Sequence, residues 1–304
     1  MSGERESISR PDFAAAVRAA EDRERLQHAH HPRPGEYDPL SFRHYVRERA
    51  VMRALGPLEF SSVLDVGCSE GYFMKVIAER RGAEVWGVDI STEGLVKARE
   101  AYGQPVASAD AHRLPFADGS FDLVMSTETL EHVLDPEVMI AEMKRVARRH
   151  ILVTTPISES ADAHEPDFAL EQEGHVNNFD PATVGRLFGS EADIGTFRCN
   201  ATFAFIYGVG RRLPRPLREA SYALDGLVSR TLGSPTHPLK PLRNRDWRIV
   251  AAGDGIDGGS PEWRCPRCRG ALRTDGEAMV CETCGVSYSV RQGVPDFFQQ
   301  PADG

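Results

Sequence analysis

The chain has 304 residues, with 36 Lys and Arg against 45 Asp and Glu, a formal net charge of −9 and 41% hydrophobic residues. That length suits one large domain plus a small one, with apolar residues enough for a buried core. Net acidity weighs against a whole-molecule nucleic-acid binder, the apolar runs are too short to cross a bilayer, and the charged start Met1-Ser-Gly-Glu-Arg-Glu6 lacks a signal-peptide apolar region. The expected setting is therefore cytoplasmic, with reduced thiols.

Residues 1–39 read as a helical or flexible extension, with an Ala-rich patch from Pro11 to Leu26 that Pro32, Pro34 and Gly35 break. A helix over 41–55 follows, since Phe42, Tyr45, Val46, Arg49 and Met52 fall near helical spacing. Strands are then expected near 62–66, 84–89, 105–108, 121–126 and 149–154, alternating with helices near 71–81, 92–102 and 136–148, the last opened by Asp135-Pro136. This alternation predicts an α/β fold: a doubly wound, mostly parallel sheet with helices on both faces and ligands at the carboxyl ends of the strands. A helix near 181–188, strands near 192–206 and a last strand near 246–252 would complete a domain over 40–253.

A basic insertion at 205–245 interrupts the final strands. Between Gly208 and Arg245 eight Lys or Arg face only Glu219 and Asp225, a net +6 that leaves −15 for the rest. One helix is expected there, about 215–232. The segment 208–245 could bind an anionic substrate or lie on an anionic membrane surface; a solvated helix with scattered arginines is the alternative. Asp254 to Ser260 holds three glycines and two aspartates and reads as a flexible linker, 254–262, before a small domain at 263–300. Oligomeric state is not legible.

The most informative stretch is Val63-Leu-Asp-Val-Gly-Cys-Ser-Glu-Gly-Tyr-Phe73. Four strand-forming residues enter a turn carrying Gly67 and Gly71, and a helix follows; such a turn brings bare backbone and a helix N-terminus to a ligand. Asp89 ends the run Val85-Trp-Gly-Val-Asp89, 18 residues past Gly71, near the distance at which a carboxylate takes a ribose diol. A nicotinamide-type G-x-G-x-x-G is not present, because Ser69 occupies its middle glycine.

With Asp65 before the first glycine, this stretch resembles the first motif of class I S-adenosylmethionine-dependent methyltransferases. The resemblance continues in order through Ala109-Asp-Ala-His-Arg-Leu-Pro-Phe116, Asp118-Gly-Ser-Phe-Asp-Leu-Val124, Leu130-Glu-His-Val133 and Ile151-Leu-Val-Thr-Thr-Pro156, covering roughly residues 40 to 255. It implies that Asp65, Gly67 and Gly71 shape the loop around the methionine end of the cofactor, with Cys68 inside that loop. Asp89 would accept both ribose hydroxyls, Ile90 would pack on adenine, and Asp110, with Ala111 beside it, would accept the adenine amino group. A helix cap or turn is the bland alternative for Asp89 and Asp110. Arg49 or Tyr45 could meet the cofactor carboxylate. Cys68 and Cys199 read as ordinary buried residues.

Glu128, Glu131 and His132 would share one face if they lay on a helical turn. His175, in Gly174-His-Val-Asn-Asn-Phe179, leaves a neighbouring strand end. Two carboxylates and two imidazoles suit a divalent cation such as Mg or Mn. This E-x-x-E-H resembles that of small-RNA 3′-terminal 2′-O-methyltransferases and of ubiquinone-pathway catechol O-methyltransferases, which implies a metal that activates a vicinal diol. Leu-Glu-His-Val also occurs where no metal is used; then His132 or His175 is the candidate general base.

Cys265-Pro-Arg-Cys268 and Cys281-Glu-Thr-Cys284 are two C-x2-C knuckles with twelve residues between them. Four thiolates predict a closed structural zinc site, with metal binding supplying most of the folding energy of so small a unit; disulfides are the alternative. From Cys265 to Phe298, with Tyr288 and Gly293-Val-Pro-Asp-Phe297, the chain resembles the small zinc-ribbon activator protein of tRNA, rRNA and release-factor methyltransferases. The resemblance implies a unit that binds a methyltransferase, here fused to one, either covering an apolar patch or presenting substrate.

The function expected is O-methylation of a small-molecule, sugar or lipid-linked hydroxyl. The rivals are methylation of tRNA, rRNA or an RNA end, and a non-catalytic scaffold that binds a partner.

Overall fold

The computed structural model describes residues 42–156, 177, 179–198, 245–256 and 258–298, with a few positions between 213 and 224. Helix α1 (Phe42–Leu55) leads into β1 (Ser62–Val66), α2 (Tyr72–Arg81), β2 (Glu84–Asp89), α3 (Thr92–Tyr102), β3 (Val106–Ser108) and β4 (Phe121–Thr127). After a 3-10 turn at Leu130–His132 come α4 (Pro136–Val146), β5 (Ala147–Pro156), α5 (Pro181–Phe188), β6 (Asp193–Arg198) and β7 (Arg245–Ala252). The small domain holds β8 (Leu272–Asp275), β9 (Ala278–Cys281), β10 (Ser287–Arg291) and β11 (Val294–Pro295). The expected extension at 1–39 lies outside the described residues, as does most of the basic insertion with its helix over 215–232.

The main sheet has the order β3-β2-β1-β4-β5-β7-β6. Strands β1 to β5 run parallel, and β7 is antiparallel to both β5 and β6. Because helices cover both faces, β1 is buried along its whole length. Its alternate residues divide two cores: Val63 packs with Val51, Leu55, Met74, Ile77 and Leu95, whereas Leu64 and Val66 face Trp86, Phe116, Val124 and Met139. Local signals close the helices. Ser91 accepts the Gly94 amide at the start of α3, and Asp135 and Asp180 cap α4 and α5, each followed by proline. α4 passes directly into β5 at Ala147, two residues before the expected boundary at 148–149.

The small domain packs against the second core. Cys265, Cys281, Val286, Tyr288 and Phe297 belong to the same buried cluster as Trp86 and Phe116. Trp263 sits between them, its ring 4.8 Å from Trp86, 4.9 Å from Phe116 and 5.6 Å from Phe297. Backbone also joins the two units. Asp296 bridges Ser108 in parallel register, the Phe297 amide donates to the Ser108 carbonyl at 2.7 Å, and Arg264 donates to Pro115 at 2.8 Å.

The glycine-rich connector, expected to be flexible, is held down. The amides of Gly253, Asp254 and Gly258 donate to Arg149, Lys144 and Gly119. At Gly119, in the left-handed region at φ 60, an added Cβ would meet the Ile256 carbonyl at 1.7 Å. Only glycine permits this approach of backbone to backbone. Among the described residues, no helix is long and apolar enough to cross a membrane.

Candidate active site and metal centre

β1 delivers Asp65 and then turns at Gly67, whose φ is 80. A Cβ there would lie 2.1 Å from Thr129 Oγ1, so glycine is what lets the turn after β4 close over this loop. The amides of Gly67 and Cys68 both donate to the Val88 carbonyl, at 2.8 and 3.1 Å, tying the loop to the end of β2. Ser69 adopts the left-handed conformation at φ 47, a geometry that costs an L-residue about 1–2 kcal/mol. Its amide donates to Asp89 Oδ2 at 2.8 Å, and the Ser91 amide donates to Oδ1 at 2.9 Å. Both oxygens of Asp89 are thus fixed by its own loops. Gly71 sets the left-handed start of α2, and Ile90 is half-buried beside Asp89.

Asp65 is 1% exposed, and its Oδ1 has no hydrogen-bond partner. Burial first, and then the charge of Asp89, push its carboxyl up to about 7. A buried carboxyl without donors costs stability, and a cationic ligand is what would relieve it. Cys68 is buried beneath this pair, and burial followed by Asp89 and Asp65 pushes its thiol up. A suppressed thiolate makes it a packing residue rather than a nucleophile.

At the end of β3 the Ala109 amide donates to the Asp89 carbonyl at 2.9 Å, which sets Asp110 and the half-buried Ala111 beside β2. Asp110 Oδ1 accepts both the His112 amide, at 2.9 Å, and His112 Nδ1, at 2.6 Å. Burial opposes ionisation of Asp110, but the bonds from His112 outweigh it and hold the carboxyl below its ordinary value. Burial likewise acts against charge on His112, and Asp110 outweighs it, raising the imidazole. His112 was not among the expected site residues. The available signal was local: an aspartate two residues before a polar residue forms an Asx turn.

The E-x-x-E-H segment departs from the expected single helical face. Glu128 sits at φ 56, outside the 3-10 turn of Leu130–His132. Its Oε2 pairs with Arg47 Nη2 at 2.6 Å and its Oε1 accepts Thr154 Oγ1 at 3.0 Å. Glu131 is 2% exposed and accepts Thr155 Oγ1 at 3.0 Å. His132 lies at the rim, 40% exposed, with Nε2 4.0 Å from Glu131 Oε1. The three do not converge as a ligand set among the described residues; His175 lies outside them. Among the charged residues of α1 whose side chains are described, Arg47 is buried, whereas Arg49 is exposed; the Tyr45 side chain lies outside the described residues. Sequence reasoning missed Arg47 because helical spacing gives the phase of an amphipathic face only to within a residue or two.

The four cysteines do form a ligand set. All four Sγ atoms lie within 4.8 Å of one another, with Cys265–Cys284 at 3.7 Å and Cys268–Cys281 at 3.4 Å. Zinc–sulfur bonds of about 2.3 Å at tetrahedral angles place sulfurs about 3.8 Å apart, so the site fits zinc. Tyr288 Oη lies 3.1 Å from Cys265 Sγ, placed to donate to a thiolate.

Comparison with known proteins agrees with both halves. Residues 64–152 match the family model described as a methyltransferase domain, and residues 264–293 match that of Trm112p-like proteins. The chain is 36% identical over 107 residues to the O-methyltransferase cnsE of Penicillium expansum, covering 33% of this chain and 39% of that one. It is 32% identical over 136 residues to the malonyl-[acyl-carrier protein] O-methyltransferase of Hamiltonella defensa, covering 42% and 51%. The chain thus spans about half the length of these relatives or less. Phosphoethanolamine N-methyltransferase 2 of Haemonchus contortus shares the fold at 16% identity, with a TM-score of 0.51 over 74% of this chain and 54% of that one. The chain therefore joins a methyltransferase domain of Rossmann-like fold to a Trm112p-like domain whose cysteine cluster is that of a zinc ribbon.

Proposed function

We propose that this chain is an S-adenosylmethionine-dependent methyltransferase that methylates a hydroxyl oxygen of a small-molecule, sugar or lipid-linked acceptor. The observation that carries this reading is the row of carboxylates Asp65, Asp89 and Asp110 at the ends of β1, β2 and β3, the first of them buried with an unpartnered oxygen. S-adenosylmethionine, when bound, supplies an electrophilic methyl on a sulfonium. Asp89, already oriented by the amides of Ser69 and Ser91, has lone pairs left for a ribose diol. Asp110 carries its intramolecular bonds on Oδ1, so Oδ2 is the oxygen for an adenine amino group, with Ile90 and Ala111 as apolar neighbours. Gly67, Gly71 and Asp65 surround the cationic methionine end.

His132 is the proposed general base. The imidazole at the rim would accept the acceptor's hydroxyl proton as the bound donor supplies its methyl group to that oxygen. The Glu131 carboxylate faces the imidazolium that results. Positioning and exclusion of water supply most of the rate. His175 stays an alternative base. Glu128 is held by Arg47 and Thr154 and Glu131 by Thr155, while His175, the fourth residue of the divalent-metal reading, lies outside the described residues; no step here is routed through Mg or Mn.

Zinc at Cys265, Cys268, Cys281 and Cys284 holds the ribbon, whose role is to cover the aromatic face around Trp86 and Phe116. The O-methyltransferase relatives favour a small acceptor over RNA. The methyltransferase unit is assigned to 40–253 and the ribbon to 263–300.

Calorimetry with S-adenosylhomocysteine tests the reading. The wild type should bind, and Asp89→Ala should weaken binding by at least about 100-fold, because two charge-assisted bonds to the ribose are lost. Unchanged affinity in that variant would overturn the ribose assignment.

A further inference from the structure

We infer that His112 is a positioning residue for adenine recognition, one ring that both aims the Asp110 carboxylate and closes the N-terminus of α4. The inference rests on the adenine role proposed for Asp110. His112 Nδ1 lies 2.6 Å from Asp110 Oδ1, and its Nε2 accepts the Asp135 amide at 3.2 Å. An amide can only donate, so in the neutral ring Nε2 presents its lone pair and the proton sits on Nδ1, donating to Asp110. The tautomer is set by two partners 25 residues apart in sequence.

The need for the second bond lies in α4. Asp135 is its N-cap and accepts the Val138 amide at 3.1 Å. In a capping box the cap's own amide is taken by Glu or Gln at the third helical position. Here that position is Val138, which has no acceptor, and His112 supplies one from across the fold. The turn Leu130–His132, carrying the proposed base, leads directly into this cap. His112 therefore ties the adenine-side carboxylate to the acceptor-side rim. With Oδ1 held by the amide and Nδ1 of His112, Asp110 is left with Oδ2 for the ligand and cannot rotate away.

An adenine amino group donates to a carboxylate, whereas the carbonyl oxygen at the same place in hypoxanthine repels it. The test is calorimetric affinity for S-adenosylhomocysteine and S-inosylhomocysteine in the wild type, His112→Ala, His112→Asn and Asp110→Ala, with melting temperatures alongside. The wild type should prefer the adenosyl ligand by at least about tenfold. His112→Ala should lose most of that preference. His112→Asn, whose side-chain amide overlays Nδ1 but cannot reach the Asp135 amide, should keep the preference within about threefold while melting lower. Two results overturn the inference: His112→Ala retaining the wild-type preference, or His112→Asn losing as much of it as His112→Ala. Should Asp110→Ala bind and discriminate like the wild type, or the wild type fail to discriminate, the adenine assignment itself falls and this inference with it.

Discussion

The Phe297 amide donates to the Ser108 carbonyl across 2.7 Å, so the end of the ribbon continues the main sheet beyond its edge strand β3. An edge strand needs a partner or a cover, and here the ribbon supplies it from the same chain. Ser108 lies two residues before Asp110, so what steadies the ribbon steadies the carboxylate proposed to hold adenine. The native protein should hold one zinc per chain. Its removal by a strong chelator should lower the melting temperature of the whole chain and shift tryptophan emission to the red, as Trp86 and Trp263 meet water. An unchanged melt and spectrum after complete zinc loss would sink the coupling.

Trp263 is the apolar joint between the units, within 5.6 Å of three aromatic rings. Replacing a well-packed tryptophan by alanine costs about 3–5 kcal/mol in a core; Trp263 is only half-buried, so about 3 kcal/mol is expected. Trp263→Phe keeps most of the ring contacts and should recover more than half of that loss in urea unfolding. Equal losses in both variants would mean the indole's shape, not its apolar area, carries the joint.

Asp65 should make both stability and cofactor binding depend on pH. Its folded pKa is raised from 3.8 to about 7, so the folded state binds the proton more tightly than the unfolded state. Stability from this group is present below about pH 4 and is lost as pH rises to 7. Three units correspond to about 4 kcal/mol. Asp65→Asn removes that slope and should be more stable than the wild type at pH 8 but not at pH 4. A cationic methionine end would bind the ionised form, so binding near pH 6.5 should release most of one proton. Calorimetry in two buffers of different ionisation enthalpy measures it, and zero release would remove Asp65 from the cationic end.

The elements legible in the sequence were those specified locally. Gly67, Gly71 and the acids ending β1 and β2 could be placed because a strand, a tight turn and a helix each leave their own signature within a few residues. The cysteine knuckles were legible for the same reason. What escaped was specified by distant partners. Ser69 takes the left-handed geometry of a glycine because the Asp89 carboxylate holds its amide. Glu128 leaves the helical face that its spacing suggests because Thr154 on β5 accepts its amide, at 2.9 Å, and Arg47 on α1 holds its carboxylate. The continuation of β3 by Phe297 joins residues nearly 200 positions apart, which no periodicity records.

The Arg47–Glu128 pair yields the last prediction. Their side chains are 9% and 14% exposed, and removing one partner of a pair this buried costs up to about 3–5 kcal/mol, because the other charge loses its counter-ion. Arg47→Met and Glu128→Gln should each destabilise by roughly 2–4 kcal/mol, while the double variant should lose clearly less than their sum. A coupling of at least about 1 kcal/mol in urea unfolding would show that Glu128 works as an ion-pair anchor for α1. The alternative, a metal ligand, predicts the reverse pattern: little loss of stability in Glu128→Gln and turnover that rises with added Mn. Turnover of the zinc-loaded protein should instead be indifferent to Mg and Mn, since a carboxylate held by a guanidinium and a threonine hydroxyl is already satisfied.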